Sequence, residues 1–474
     1  MSHRHFIADD PPTYVKRHIL ERRMGTWSDD ERIHSLAAKK LISTNTDRIE
    51  IDNSVKGVTL SVATPKSRSI ETSSMNHKWF LPFAFFTSLT STAFADHPLT
   101  INAAGTYGND AWSSENPSVA AVTIASSVPA GSTVTIENAT ITSKGDLIDC
   151  QAQGINLIVH DVGARGQNPA VAGQRKGAFV HIISPASLYI FNCDIKSVSH
   201  ALECFGNLGS ATSATIAFHH NIVRNIDGRL SDGSNGYQTT SWATAGASCI
   251  TLTYVQSDPN ISITWNDVRN YQGQALAGDL FDLYDTSGTA NSPIQIANNF
   301  VKGQFPNNDT ETGGRGVFVM DGDPNSTLPT QYVDIHDNQC VGCEGYSIYL
   351  YWGANFNVYN NRVVTSMIDS TTGSYYESAG GGIGMQDATP AGSGWTSTWQ
   401  VYDNVVGAMG PDGKVREDFL FSPSSLSRKA TKNSSLTQDR NAKITLSDED
   451  NEEQIWTSKR EYPNGPQIIG PRSD

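Results

Sequence analysis

Three aspartates and one tryptophan occupy the same position in four short segments of alternating apolar residues. Asp285, Asp321, Trp352 and Asp387 each lie two residues after the second apolar residue of a pair. The pairs are, in order, Phe281/Leu283, Val317/Val319, Ile348/Leu350 and Ile383/Met385. If the segments are strands stacked at about 4.8 Å, the acids lie in one file. Two carboxylates one strand apart do not both ionise without an energetic cost. The pKa of one of them therefore rises, and that carboxyl group serves as a general acid. The pattern predicts Asp285 and Asp321 as an acid/base pair, with Asp387 as a further catalytic acid.

Aromatic and charged side chains surround these acids. Asp282, Tyr349 and Tyr351 occupy neighbouring outward positions, Trp352 lies in the file itself, and Arg315 is close in sequence. A pyranose ring offers a C–H face to aromatic rings and hydroxyl groups to acids. A guanidinium group is suited to a substrate carboxylate. These five residues are therefore the predicted substrate-binding set, and a polysaccharide is the predicted partner.

The same acids allow two other interpretations. Asp321 and Asp323, in the segment Asp-Gly-Asp-Pro-Asn, carry the oxygen ligands that Ca²⁺ takes. Aspartates at strand ends also commonly cap turns, and outward aromatic residues can pack under loops. The sequence thus leaves open a catalytic site, a site that only binds glycan, and a structural role. Apart from Ca²⁺, no cofactor is indicated.

A repeated pattern predicts the elements that position these residues. The pattern apolar-x-apolar-x-x-Asn-x-apolar occurs six times, with its asparagines at Asn221, Asn266, Asn299, Asn338, Asn361 and Asn404. A variant with Asn one residue earlier contains Asn138 and Asn192. Each unit predicts a short strand, a bend and a second strand. Asn suits the bend because it tolerates the left-handed backbone conformation and because its side chain can hydrogen-bond local backbone groups.

The spacing of the units predicts a stacked solenoid. The six asparagines are separated by 45, 33, 39, 23 and 43 residues, and the second strand type lies between them. The shortest spacing is close to one coil, so the longer ones contain insertions that loop outward. Two or three short strands per coil without helices favour an all-β parallel β-helix over a β-sandwich, which needs hairpin turns.

At this level the chain resembles a known superfamily. The Asn units, over about residues 130 to 410, resemble the right-handed parallel β-helix proteins of the pectate-lyase-like superfamily. The segment from Asp279 to Ile294, Asp-Leu-Phe-Asp-Leu-Tyr-Asp-Thr-Ser-Gly-Thr-Ala-Asn-Ser-Pro-Ile, is similar to secreted bacterial β-helix repeat proteins. The resemblance implies a right-handed solenoid. It does not fix an activity, because proteins of this shape include lyases, hydrolases, epimerases, esterases and noncatalytic surface proteins.

Composition divides the chain into four segments. Residues 1–74 are expected to be disordered and absent from the mature protein, because residues 75–95 have the layout of a signal peptide that ends at Ala95. Residues 96–419 form the predicted β-helix domain. Residues 420–474 are polar, lack alternation and are predicted to be a disordered tail. We therefore expect a secreted or periplasmic protein without stable membrane insertion.

Charge and the remaining reactive residues limit the function further. Charged residues make up 17% of the chain and the net charge is -14, which argues against a nucleic-acid partner. His219 and His336 take equivalent outward positions and are interpreted as solvent-facing. The six cysteines could form disulfides, in any of 15 pairings, or remain as buried thiols. We expect a monomer that cleaves a polysaccharide as a hydrolase or lyase. The alternative is a noncatalytic glycan-binding or adhesion protein.

Overall fold

The computed structural model describes the chain from Asp96 onward with internal gaps. The described residues are 96–207, 214–238, 246–305, 316–323, 326–343, 345–370, 373, 382–386, 398–409, 419–422, 434–435, 443–461, 465–466 and 468–472. The predicted leader and the sequence before it lie outside them. No described helix is long and apolar enough to cross a membrane.

Three parallel sheets form a right-handed parallel β-helix, which confirms the predicted fold class. Sheet 1 contains β1 (Leu99–Ile101), β4 (Val122–Ile124), β7 (Ile148–Cys150), β10 (Val180–Ile183), β13 (His200–Phe205), β16 (Ser248–Thr253), β19 (Phe281–Tyr284), β22 (Gly316–Asp321), β25 (Tyr346–Leu350), β28 (Ile383–Gln386) and β31 (Phe419–Ser422). Sheet 2 contains β2 (Gly105–Gly108), β5 (Thr133–Glu137), β8 (Asn156–His160), β11 (Ser187–Phe191), β14 (Ile216–His219), β17 (Ile261–Thr264), β20 (Ile294–Ala297), β23 (Gln331–His336), β26 (Ala354–Tyr359) and β29 (Gln400–Tyr402). Sheet 3 contains β3 (Ala111–Ser114), β6 (Thr140–Ser143), β9 (Gly163–Gly166), β12 (Asp194–Lys196), β15 (Ile222–Arg224), β18 (Asp267–Arg269), β21 (Phe300–Gln304), β24 (Gln339–Cys343), β27 (Arg362–Thr365), β30 (Val405–Ala408) and β32 (Ser434–Ser435).

Each coil contributes one strand to each sheet, and alternate residues point into a continuous core. In sheet 1 the inward file contains Ile148, Val180, Leu202, Ile250, Phe281, Phe318, Ile348 and Ile383, all of them buried. Full burial of such a side chain contributes about 1.5–3 kcal/mol. The core therefore fixes which residues of every coil face outward.

The six repeated asparagines form a ladder inside the solenoid. All six are fully buried. The Asn299 side-chain oxygen accepts bonds from the backbone N–H of Asn266 at 3.0 Å and from its Nδ2 at 2.9 Å. Asn299 in turn donates through Nδ2 to the carbonyl of Ile263 at 2.9 Å and to Asn338 Oδ1 at 3.0 Å. The same links join the other asparagines of the set, so the amides satisfy buried backbone groups at the corner.

The left-handed residue of each bend lies one position before the ladder. Among the residues that precede the ladder asparagines, Trp265 has φ 57° and Asp337 has φ 56°. The prediction that these asparagines are left-handed was therefore wrong, whereas their side chains do bond to backbone groups, as predicted, on the adjacent coils. In the two variant units the Asn itself is left-handed, with φ 45° at Asn138 and 53° at Asn192. Cys193 then takes the ladder position, and its N–H donates to Asn221 Oδ1 at 2.9 Å.

A helix lies in the segment for which the sequence predicted a disordered tail. Helix α1 (Leu446–Glu461) begins with a capping arrangement, in which the N–H and hydroxyl of Thr445 donate to Asp448 at 2.7 and 2.8 Å. Its buried residues are Glu449, Glu452 and Trp456. Two of the three are acidic, so the helix lacks the apolar stripe that sequence patterns detect.

Polar contacts hold α1 against sheet 3. Glu452 accepts two bonds from Arg362 at 2.6 and 2.7 Å, and Glu449 accepts from the N–H and hydroxyl of Ser366. The Trp456 indole N–H donates to the carbonyl of Asn298 at 2.9 Å. These contacts explain how an acidic helix is ordered on the solenoid without a large apolar face.

The six cysteines are free thiols and all are buried. Cys340 takes the inward apolar position predicted for it, with Cys343 buried on the same strand. Burial raises the pKa of Cys150, Cys193 and Cys343 to about 12. The thiols therefore act as small apolar core residues.

Removing one ladder amide tests its contribution to stability. We expect Asn299→Ala to lower the free energy of unfolding by about 3 kcal/mol, because buried donors and an acceptor lose their partners. Urea denaturation followed by circular dichroism measures the change. Asn357→Ala is the matched control, since Asn357 points outward from β26 and donates to Asp334. Its expected loss is below about 1 kcal/mol, and equal losses for the two variants would contradict a special role for the ladder.

Candidate functional site

The predicted file of acids is out of register by one residue. In β22 the residues that pair with the inward residues of neighbouring strands are Phe318 and Met320, not Val317 and Val319. Asp321 consequently pairs with Tyr284 instead of Asp285. The prediction that Asp285 and Asp321 share a file is therefore wrong. All six residues of β22 are buried, so the strand lacks the alternation that would have set its register.

Asp285 lies beneath the turn that follows β22. Its carboxylate accepts the N–H of Asp323 at 3.3 Å on both oxygens, and a Cβ placed on Gly322 would lie 2.4 Å from Oδ1 and 2.3 Å from a ring carbon of Trp352. Asp285 and Trp352 are both fully buried. Burial raises the pKa of Asp285 to about 7, although the bond from Asp323 opposes the shift. This geometry matches the turn-capping alternative for Asp285, and Gly322 is needed because the turn packs so closely on both side chains.

Asp321 points outward from sheet 1, next to the file that contains Asp282. It is 4% exposed, and its Oδ1 accepts the N–H of Gly322 at 2.8 Å. Within the described residues, the three metal-ligand side chains that converge are Asp146, Asp149 and His181, with ligand atoms within 4.8 Å of one another. The Ca²⁺ site predicted at Asp321 and Asp323 has no such third ligand in the described part of the chain.

Two tyrosines of β25 and Tyr351, which follows the strand, form a stacked group on the outward side of sheet 1. Tyr346 and Tyr349 stack at 4.9 Å with 10° between their planes, and Tyr349 and Tyr351 stack at 5.6 Å. The Tyr349 hydroxyl donates to Gln386 at 2.6 Å. A Cβ on Gly384 of the next coil would lie 2.8 Å from the Tyr346 ring, so glycine there leaves room for the rings. The predicted substrate-binding tyrosines are thus together, whereas Arg315 and Asp387 lie outside the described residues.

A second group of chemically active residues lies at the other end of the same sheet, and the sequence analysis missed it. Asp149, His181 and Glu203 face outward on β7, β10 and β13 at paired positions, so they occupy one file in three successive coils. His181 Nδ1 lies 3.0 Å from Asp149 Oδ1. The same file continues through Thr251, Asp282, Val319 and Tyr349. It therefore joins the acid and imidazole group to the tyrosines along one face.

Carboxylates surround the His181 imidazole. Burial acts to lower the pKa of His181, but the hydrogen bond that the imidazole donates to Asp149 and the charges of Glu203 and Asp146 outweigh it, so the pKa is raised. Burial also raises the pKa of Asp146, whose Oδ1 accepts the N–H of Ala178 at 2.8 Å. The charged form of the imidazole is therefore stabilised, and a proton donor lies next to proton acceptors. Acid/base catalysis requires groups of both kinds.

Two segments outside the sheets bring positive charge to this group. Lys176 and Arg229 both bind the buried carboxylate of Asp227, at 2.6 and 2.8 Å, and the Arg229 guanidinium lies 3.9 Å from the centre of the Tyr237 ring. This network ties the chain before β10 to the chain after β15. Arg175 lies next to Lys176 and interacts electrostatically with Glu203. An exposed guanidinium is thus placed beside the acids.

A sequence signal for the missed group exists in retrospect. Asp149, His181 and Glu203 each stand between two inward residues, as in Ile-Asp-Cys, Val-His-Ile and Leu-Glu-Cys. This is the second-strand pattern of the later coils. The coil of Glu203 has the repeated Asn at Asn221 and the coil of His181 has the variant Asn192, but the coil of Asp149 has Asp161 at the bend. The three strands were therefore not aligned with one another from the sequence.

The other histidines singled out by sequence lie on sheet 2. The His336 ring stacks on Tyr359 at 4.8 Å, and Tyr359 stacks on Tyr402 at 5.2 Å. His219 stacks on Phe191 at 5.2 Å, three coils away from His336. The two imidazoles are separate parts of an outward ladder.

Comparison of the chain with protein-family models, with curated proteins and with solved structures finds no match.

The titration of Asp285 is expected to make stability depend on pH. The pKa of the Asp285 carboxyl has its ordinary value of 3.8 in the unfolded chain and is raised to about 7 in the folded protein. Between these values the folded state binds more protons, so stability falls as pH rises, by up to about 1.4 kcal/mol per pH unit. Urea denaturation at pH 4.5 and 7.5 should show a smaller fall for Asp285→Asn than for the wild type.

The matched control for this experiment is Asp334→Asn, which changes a partly exposed acid on the outward side of β23. Burial also raises the pKa of Asp258 to about 7. The loss of stability between pH 4.5 and 7.5 is therefore expected to become smaller in Asp285→Asn but not to disappear. An unchanged pH dependence in Asp285→Asn would contradict the raised pKa.

Proposed function

We propose that the protein binds a polysaccharide along the outward face of sheet 1 and cleaves it at the group formed by Asp149, His181 and Glu203. The observation that carries the proposal is an imidazole held between carboxylates of the two adjacent coils, in the same file as the tyrosines. Hydrolysis of a glycosidic bond needs a proton donor for the leaving oxygen and a carboxylate on the opposite side.

The group lies on three successive coils. Asp149 and Glu203 are two coils apart, which is about 10 Å between backbone positions, and His181 lies between them. In this proposal protonated His181 donates to the leaving oxygen, and a flanking carboxylate takes the proton of the attacking water. The raised pKa of His181 keeps the donor charged to higher pH. A lyase would use the same residues differently, with neutral His181 as the base and Arg175 at a substrate carboxylate.

The tyrosine group offers a second contact for a glycan. From His181 on β10 to Tyr349 on β25 the file passes five coil steps, or about 24 Å. The file positions between the two groups, Thr251, Asp282 and Val319, are buried, so the two groups are separate contacts and not one open groove. Aromatic rings beside carboxylates favour sugar rings.

Replacing the imidazole tests the catalytic part of the proposal. We expect His181→Gln to lower the rate of glycan cleavage by about 100- to 10,000-fold, because the amide has no titratable proton. The control is His336→Gln, which removes an outward imidazole from sheet 2 that also contacts a carboxylate. Activity on neutral and uronate glycans is measured by reducing ends and by absorbance of an unsaturated product.

The outcomes separate the candidate functions. Reducing ends without an unsaturated product indicate a hydrolase, and the wild-type rate should then fall as pH rises past the pKa of His181. An unsaturated product indicates a lyase. Glycan binding without turnover across the panel would favour the noncatalytic alternative. Normal turnover by His181→Gln would rule out this site while leaving the binding surface in place.

A further inference from the structure

Sheet 3 carries a file of positive charges on a protein that is acidic overall. Arg165, Lys196, Arg224, Arg269 and Lys302 pair in register on β9, β12, β15, β18 and β21. Each coil therefore presents one cation at the same outward position. The five side chains follow the solenoid axis over about 19 Å at the interstrand spacing. The chain as a whole has a net charge of -14, so this cation file is a local concentration of positive charge.

The C-terminal half of the cation file already binds a row of carboxylates. Arg269 pairs with Glu453 of α1, and Lys302 Nζ lies 3.6 Å from Asp450 Oδ1 of the same helix. Arg269 also pairs with Asp267 at 2.6 Å on its own strand. An acidic segment of the chain thus lies along the file and places successive carboxylates on successive cations.

The N-terminal half of the file is open to solvent. Arg165 and Lys196 are exposed, and Arg224 is partly exposed. Lys196 pairs with Asp194 at 2.7 Å, but both side chains are accessible, with 51% and 29% exposure. An exposed pair of this kind contributes at most about 1 kcal/mol, so an incoming anion can compete for the lysine. Arg224 shares the Asp267 carboxylate with Arg269.

We propose that Arg165, Lys196 and Arg224 form a binding site for a linear anionic polysaccharide, separate from the site proposed on sheet 1. A glycan with one carboxylate or sulfate on each sugar carries charges along its chain at axial intervals similar to one coil. The α1 carboxylates illustrate the same complementarity on the adjoining coils. Sheet 3 is a different face of the solenoid, so the proposal does not depend on cleavage at His181.

The neighbours of the cation file favour a polysaccharide over single-stranded nucleic acid. The outward positions two residues before the three cations are Gly163, Asp194 and Ile222. None of them offers the aromatic ring on which nucleic-acid bases stack. Asp194 lowers the local positive potential, so the expected affinity is modest and sensitive to salt.

Binding of carboxymethyl dextran to the full-length protein tests the proposal, with uncharged dextran of equal length as the matched ligand. We expect carboxymethyl dextran to bind more tightly at 20 mM salt and to lose affinity at 200 mM. The double variant Arg165→Ala and Lys196→Ala should weaken binding about tenfold or more at low salt. The slope of log affinity against log salt should decrease by about two, because two ionic contacts are lost.

Control variants distinguish loss of the binding site from loss of the fold or of overall charge. Lys443→Ala removes an exposed cation that is not in the file and should leave binding unchanged, whereas Arg165→Ala alone should weaken it. Arg165→Lys with Lys196→Arg keeps the charges and should retain binding, which provides a test if the alanine variant does not fold. The proposal is overturned if the folded double variant binds as the wild type does. Equal or tighter binding of single-stranded DNA of the same charge would also overturn it.

Discussion

The parallel stacking of coils at one fixed interstrand spacing is the constraint on which every other feature depends. Because each coil repeats the backbone path of the last, a side chain at a given position lies about 4.8 Å from its equivalents in adjacent coils. Amides at one corner become a buried ladder, imidazole and carboxylate on sheet 1 become an acid/base group, and cations on sheet 3 become a charged row. The chemistry of this protein is therefore organised in files.

The architecture was predictable because its signal is repeated, whereas the acid pair was not. Six Asn units were sufficient to predict the solenoid, and the ladder occupies those six positions. The predicted register of β22 was wrong because the strand has four consecutive residues that are all apolar and all buried, namely Val317, Phe318, Val319 and Met320. In such a strand a shift of one residue exchanges the two faces without changing the hydrophobic pattern. The position of Asp321 relative to Asp285 depended on that single choice.

Long-range electrostatic partners account for most of what the sequence could not give. Helix α1 buries Glu449 and Glu452 against groups more than eighty residues earlier in the chain. No local sequence pattern indicates that Ser366 and Arg362 are their hydrogen-bond partners. His181 acquires its raised pKa from acids on the coils before and after it. In both cases the residue types were visible, but their juxtaposition depends on how many residues each coil contains.

The asparagine ladder also gives the solenoid a direction. The backbone N–H groups of the ladder asparagines from Asn221 to Asn361 each donate to the side-chain oxygen of the following coil, and the last acceptor is Asn404. Loss of a coil at the C-terminal side would leave the backbone N–H and one side-chain N–H of an asparagine without acceptors, whereas loss at the N-terminal side would leave one side-chain N–H and an oxygen without partners. Orphaned buried N–H groups are the rarer of the two in proteins. The two ends of the asparagine ladder are consequently not equivalent. Removal of coils is better tolerated at the N-terminal end, where synthesis begins.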